Sequence, residues 1–205
     1  MKITSMLRTL VAGGAFALAS LLSAQEITFD DLPGSLDVVP AGYAGLQWDN
    51  VYFANVPSLA LGPTGYSAGT VSGTQVALNG FEAPASFFST SFKFNLDHLY
   101  LTGAWNDGQQ VQLDGYLNGS LLYSLSLVVN STSPSLVQPG FLGIDTVVIA
   151  TYGGVPNPDY YSGGGAYLAI DNVQVTPVPE PSTYGLIGAV SLAGVGLWRR
   201  RTRRS

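Results

Sequence analysis

Three aspartates offer the first chemistry in this chain. Asp30 and Asp31 follow the first apolar run of its body, and Asp171 sits inside the last one. If those runs are neighbours in space, three carboxylates and nearby carbonyl oxygens would make the all-oxygen site that Ca²⁺ takes. The competing reading is local: Asp30 and Asp31 close a turn, and Asp171 steadies an irregular strand. A second set combines rings with polar groups. Trp105, Asn106 and Asp107 precede Gly108, and Tyr160 and Tyr161 lie in a stretch rich in Gly and Pro. Aromatic rings stack on the C–H faces of sugars, while amides and carboxylates read hydroxyls, so these five are candidate glycan contacts. Against that, Trp105 and Trp48 are also candidates for the core, since tryptophan is highly buried on average. Catalysis has less to work with. His98 is the only histidine, there is no cysteine, and neither a Gly-x-Ser-x-Gly elbow nor a phosphate loop occurs. A carboxylate pair acting on a glycoside is the one enzymatic reading left.

Composition narrows the classes further. The chain has 205 residues, of which 46% are hydrophobic and only 10% charged, against about 25% charged in ordinary domains. Without cysteine, disulfide scaffolds, Cys-based zinc sites and thiol chemistry are excluded. Low charge with this much apolar residue argues against disorder. Charge is also unevenly placed. Seven of the eight basic residues lie at the ends: Lys2, Arg8, Arg199, Arg200, Arg201, Arg203 and Arg204. From Gln25 to Glu180, Lys93 stands alone against all 13 acidic residues, a net charge of −12. Such a body repels nucleic acid, which is therefore no partner. It tolerates neutral sugars and can attract Ca²⁺.

The ends need their own explanation. Lys2 and Arg8 precede an apolar run from Leu10 to Leu22, followed by Ser23-Ala24. That is the three-part pattern of a secretory signal peptide over residues 1–24, with the cut expected after Ala24. Its partners would be the Sec translocon and signal peptidase. At the other end Val178-Pro179-Glu180-Pro181 leads into an uncharged stretch that ends at Trp198, ahead of the arginine cluster. Pro181 blocks helix before it and Ser182 can cap the first turn. A helix over 183–198 would be roughly 24 Å long, short for a bilayer core of about 30 Å. Trp198 and snorkelling arginines can make up the difference. Arg199, Arg200, Arg201, Arg203 and Arg204 would halt translocation and stay cytoplasmic.

The tail Val178-Pro-Glu-Pro-Ser-Thr-Tyr, the Gly/Ala/Leu-rich span and the terminal arginines resemble the PEP-CTERM protein-sorting signal. The resemblance covers about the last 28 residues. It implies export in an exopolysaccharide-producing Gram-negative bacterium, with a membrane peptidase, an exosortase, processing the chain near Pro179, Glu180 and Pro181. The precursor would be membrane-anchored, and the mature form would sit at the cell surface or in the extracellular matrix. Two prolines keep that motif extended and short of backbone donors, as a processing cleft requires.

Between the ends, no helical periodicity stands out. Short alternating apolar runs recur between Gly, Pro, Asn and Asp clusters. Leu121, Tyr123, Leu125 and Leu127 alternate with Leu122, Ser124 and Ser126, and Asn118-Gly119 forms a two-residue hairpin signal ahead of them. The expected fold is all-β: one β-sandwich or jelly-roll over 25–176, flanked by an N-terminal signal helix and a C-terminal transmembrane helix. In the last run, Leu168 and Ile170 are out of phase with Val173 and Val175. For all four to face the core, one extra residue must be absorbed at Asp171-Asn172, which predicts a bulge. The segments Phe29-Asp-Asp-Leu, Val39-Pro-Ala-Gly-Tyr-Ala-Gly-Leu-Gln-Trp-Asp-Asn, Leu101-Thr-Gly-Ala-Trp-Asn-Asp-Gly and Ile170-Asp-Asn-Val look like the jelly-roll ectodomains found on PEP-CTERM proteins. Those are similar in outline to carbohydrate-binding modules. Three functions stand at this point: a sorted structural or adhesive protein, a module binding extracellular polysaccharide with or without Ca²⁺, and a glycosidase.

Overall fold

The computed structural model describes residues 23–160 and 163–179. The expected signal segment before Ser23, residue Tyr161 and everything from Glu180 onward, including the expected span and arginine cluster, lie outside the described residues. The strands in chain order are β1 (Gln25–Ile27), β2 (Leu36–Val38), β3 (Gln47–Asp49), β4 (Val51–Asn55), β5 (Gln75–Asn79), β6 (Ala85–Phe88), β7 (Lys93–Gly103) and β8 (Asn106–Asp107). They continue with β9 (Gln109–Leu117), β10 (Ser120–Val129), β11 (Ser135–Val137), β12 (Phe141–Ile144), β13 (Thr146–Tyr152), β14 (Val155–Pro156) and β15 (Leu168–Val178). One short α-helix, α1 (Gly65–Ala68), follows β4, and single 3₁₀ turns lie at Tyr43–Gly45 and Gly80–Glu82.

Two antiparallel sheets stack as a sandwich. The larger has the order β11-β7-β15-β5-β4-β2, with β12 also on β7 and β1 also on β15. The smaller has the order β10-β9-β13-β6-β3. Alternation along the strands supplies the core between them. Phe94, Leu96, Leu99 and Leu101 from β7 meet Val111 and Leu113 from β9 and Val147 and Ile149 from β13, all of them buried. Trp48 belongs here too. It packs edge-on against Phe29 at 5.5 Å and tilted against Phe87 at 5.2 Å, and its Nε1 donates to the Tyr43 carbonyl at 3.0 Å. The stretch from Leu46 to Phe53 is cut by Asn50, whose φ of 53° is left-handed. The chain thereby leaves the small sheet at β3 and enters the large one at β4. The Asn50 side chain holds the crossing by donating to the carbonyls of Gly80, Ala83 and Pro84.

The bulge in β15 is present. Asp171 pairs with Tyr100 but Gln174 pairs with His98, so β15 carries one extra residue there, and Asn172 takes a φ of 46°. Leu168, Ile170, Val173 and Val175 are all 3% exposed or less. A compensating irregularity in β7 was not expected: Gln174 pairs with His98 but Val175 pairs with Leu96, leaving Asp97 as the extra residue. Thr176 Oγ1 donates to its carboxylate at 2.6 Å. The β15 bulge also marks a change of neighbour. Before it, Ala169 and Ile170 pair with β5; after it, Val173 to Val175 pair with β1. The loops after β1 and before β5 therefore meet over Asp171 and Asn172. On the outer side of the large sheet, the segment carrying α1 covers Ala169 and Val76 and builds a second small core with Val56, Tyr66 and Ala104.

Candidate functional site

At the β15 bulge, Asp30 and Asp171 do come together, as the sequence suggested, but they hold backbone. Asp171 Oδ2 accepts the N–H groups of Val71 at 2.7 Å and Ser72 at 3.0 Å, and its Oδ1 accepts that of Asn172 at 2.7 Å. Asp30 Oδ1 accepts the N–H groups of Thr74 at 2.8 Å and Gln75 at 3.1 Å, and its Oδ2 takes the Ser72 hydroxyl at 3.2 Å. Gly73 between them has a φ of +49°, and a Cβ there would fall 2.0 Å from Asp30 Oδ1. Only glycine lets the loop close on the carboxylate. Asp171 is fully buried, and burial pushes its carboxyl up to about 6, against the pull of its three N–H donors; the Asp30 charge adds to the rise. Asp31 is not in the knot. It accepts the Tyr43 hydroxyl at 2.6 Å, and burial and then that carboxylate push the Tyr43 hydroxyl up. The expected three-carboxylate Ca²⁺ set of Asp30, Asp31 and Asp171 is thus not assembled: two are filled by amide donors and the third points to a tyrosine. Among the described residues no group of three His, Cys, Asp or Glu is placed to hold a metal ion.

The aromatic candidates are also turned inward. Trp105 is half-buried, sits edge-on to Tyr66 at 5.7 Å, and is covered by Gly163, where a Cβ would fall 1.8 Å from its Cε3. Asn106 is buried and donates to the Gly153 carbonyl at 3.0 Å. Asp107 Oδ1 accepts the Ser131 N–H at 2.8 Å and its hydroxyl at 2.7 Å, while Oδ2 takes Asn157 Nδ2 at 3.2 Å. The Tyr160 hydroxyl donates to the Ser131 carbonyl at 2.6 Å. These residues pin three loops together rather than face a ligand, a correction to their reading as glycan contacts; Tyr161 lies outside the described residues. His98 stands in β7 with its Nε2 3.7 Å from Glu26 Oε1.

The open chemistry lies where the sequence reading did not look, on the outer face of the small sheet. Val111 and Leu113 of β9 point to the core, so Gln110, Gln112, Asp114 and Tyr116 point out, each half-buried. Register sets Ser124 of β10 beside Asp114, and Ser126 beside Gln112. On the other side Val148 and Ala150 of β13 flank the same two residues. The polar groups are linked. Gln112 Nε2 donates to Asp114 Oδ1 at 2.8 Å and to Ser124 Oγ at 2.6 Å; Ser124 Oγ donates to Asp114 Oδ1 at 2.7 Å; Ser126 Oγ donates to Gln112 Oε1 at 2.5 Å. Tyr116, with Phe88 two strands away in the row through Thr146, stands at one end, and the 53% exposed Tyr152 stands at the other. Thr146 to Tyr152 spans roughly 20 Å at about 3.4 Å per residue. The result is a hydroxyl, amide and carboxylate track with rings at both ends. The strict alternation from Gln110 to Tyr116 was the signal that could have found half of it.

The same strand that bears the bulge delivers the tail. β15 continues past the expected boundary at 176: Pro177 pairs with Phe94 and Val178 with Lys93, and Pro179 follows directly. Residues 177–201 match the PEP-CTERM protein-sorting motif. The chain carries a PEP-CTERM sorting signal. That signal marks an exported, C-terminally processed protein. It starts on the large sheet itself, with no spacer between the β-sandwich and Pro179. No curated protein matches the chain. Solved structures similar to the chain include three of β-sandwich type. A DUF4465 family protein from Bacteroides ovatus is 11% identical, with a TM-score of 0.40, covering 75% of this chain and 93% of its own. TmCBM61, solved in complex with beta-1,4-galactotriose, is 10% identical with a TM-score of 0.34, covering 68% and 95%. The family 11 carbohydrate-binding module of the cellulosomal cellulase Lic26A-Cel5E of Clostridium thermocellum is 9% identical with a TM-score of 0.33, covering 78% and 97%. Among the described residues, no helix is long and apolar enough to cross a membrane.

Proposed function

We propose that this protein is exported, sorted through its C-terminal motif to the cell surface or exopolysaccharide matrix, and there plays a non-catalytic structural or adhesive part by holding matrix polysaccharide. Export would run through the Sec translocon and signal peptidase, and an exosortase-type peptidase would process the chain near Pro179, Glu180 and Pro181. One observation carries the binding half: the track on the small sheet, where Gln112, Asp114, Ser124 and Ser126 form a linked row between the half-buried Tyr116 and the exposed Tyr152. Hydroxyl and amide groups exchange hydrogen bonds with sugar hydroxyls, and rings at the ends of the track add stacking surface. The acidic body disfavours anionic glycans, so the ligand is a neutral or cationic one. The non-catalytic half is supported by the neighbouring carboxylates Asp30 and Asp171, whose oxygens are occupied by backbone N–H groups and a hydroxyl. Retention of the exported protein on immobilised neutral glycans, with and without Ca²⁺, tests the reading. Retention is expected, and Tyr116→Ala together with Gln112→Ala should weaken it by about tenfold or more. No retention on any glycan, or retention that ignores both substitutions, would contradict it.

A further inference from the structure

The sandwich releases its tail at one end, and that end has a surface of its own. β15 stays paired with β7 as far as Val178, whose partner is Lys93. Phe94, one residue on, pairs with both Pro177 and Ile144. Asp145 then ties this end together. Its carbonyl accepts the Ser89 N–H at 2.9 Å, and its own N–H donates to the Tyr116 carbonyl at 2.9 Å. Its carboxylate accepts the Asn118 N–H at 2.6 Å and the Thr146 hydroxyl at 2.8 Å. The tip of the β9–β10 hairpin, Leu117 to Leu122, therefore lies on the same end as Val178. That tip carries no charge and presents two consecutive leucines, Leu121 at 53% and Leu122 at 49% exposure. A regular strand would turn one of them to its other face; the irregularity between Leu121 and Tyr123 lets both stand out. Lys93, the one basic residue between Gln25 and Glu180, is exposed at this end too.

Exposed apolar residues alone select no partner: Val155, whose strand pairs with β8 at the far end, is 71% exposed. The length of chain beyond Val178 does select one. Only Pro179, Glu180, Pro181 and Ser182 separate β15 from the stretch 183–198, read above as a membrane span. Four residues reach at most roughly 14 Å. The headgroup layer on one side of a bilayer takes up about 5–8 Å of that. The end of the sandwich is thereby held within about 10 Å of the headgroups. We infer that, while the chain carries its tail, this end of the sandwich rests on the phospholipid surface, with Leu121 and Leu122 in the headgroup region and Lys93 beside the lipid phosphates. Two leucines and one lysine bind a free domain to lipid only weakly, but the short tether supplies a high local concentration. The acidic body gains nothing from laying its other surfaces on anionic lipid. Held this way, the sandwich presents Pro179-Glu180-Pro181 at a fixed height above the bilayer, where a membrane peptidase reaches it. The inference rests on the membrane reading of residues 183–198 and not on the glycan reading.

The chain has no cysteine, so single-cysteine variants report the contact directly. Exported chain that still carries its tail is reconstituted into vesicles of phosphatidylethanolamine and phosphatidylglycerol, with Leu122→Cys or Val155→Cys bearing an environment-sensitive dye. Flotation reports the anchor, and quenching by lipids spin-labelled near the headgroup reports the contact. The chain should float, the dye at position 122 should lose most of its fluorescence to the spin label, and the dye at position 155 should keep its own. A chain that does not float removes the membrane reading of 183–198 and this inference with it. A chain that floats, with position 122 as bright as position 155 or both equally quenched, overturns this inference and leaves the anchor standing. Blue-shifted emission at position 122 without quenching means that the chain's own segments cover the hairpin, and also overturns it.

Discussion

Replacing Asp171 by alanine tests the knot that ties the first and last strands to the loop before β5. The carboxylate receives three backbone N–H groups, from Val71 at 2.7 Å, Ser72 at 3.0 Å and Asn172 at 2.7 Å, at a fully buried position. Stranding a buried donor costs about 1–3 kcal/mol each, so the gross loss is roughly 3–9 kcal/mol. An opposing contribution comes from the charge. Burial holds the carboxyl at about 6 instead of the ordinary 3.8, a difference worth about 3 kcal/mol at neutral pH. Alanine relieves that cost, so the expected net loss at pH 7 is about 0–6 kcal/mol. The sign with pH follows from the same shift. The folded acid binds its proton more tightly than the unfolded one, so its contribution is fully present below pH 3.8 and fades as pH rises through about 6. The penalty of Asp171→Ala should therefore grow by up to about 3 kcal/mol between pH 7.5 and pH 4. Urea unfolding of the exported protein, followed by Trp48 and Trp105 fluorescence, reads both quantities. A penalty that does not grow as the pH falls over this range would refute the reasoning.

Two further perturbations address neighbouring parts of the account. Gly73→Ala drives a Cβ into the Asp30 carboxylate from a left-handed backbone position, and should cost about 2–4 kcal/mol, seen as a fall in melting temperature of roughly 5–15 °C; an unchanged melting temperature would mean the loop closes differently. Trp105→Ala removes packing against Tyr66 and Gly163 and should cost about 2–4 kcal/mol, yet leave glycan retention per folded molecule unaltered. Loss of retention without loss of stability would restore Trp105 as a ligand contact.

The β15 bulge was legible because two pairs of apolar residues, Leu168 with Ile170 and Val173 with Val175, differ in phase by one residue, and only an inserted residue reconciles them with one core. The β9–β10 hairpin was legible from Asn118-Gly119 between alternating runs. Strands such as β2, β8, β11 and β14 are two or three residues long, too short for any period to show. Sheet membership was hidden as well, since nothing local says that Asn50 passes the chain from one sheet to the other. The site readings failed for a related reason. Trp105-Asn-Asp-Gly has the composition of a ligand-binding turn, but the Asp107 carboxylate is used by Ser131 and Asn157, which return from 24 and 50 residues away. In the same way Asp30 and Asp171 have the charge of a cation site, and only the fold shows the loop over Val71 to Gln75 supplying N–H donors in place of a metal. The polar track needed cross-strand register, which pairs Asp114 with Ser124 and Gln112 with Ser126.

The most direct test of the account is the intact mass and cellular location of the mature protein, measured for the wild type and for Glu180→Ala. The account predicts that the wild type is found outside the cytoplasm with residues beyond the Pro179-Glu180-Pro181 region removed, and that Glu180→Ala keeps its tail and stays with the membrane. A wild-type chain recovered from the cytosol at full length, with both apolar ends intact and no lipid association, would contradict it.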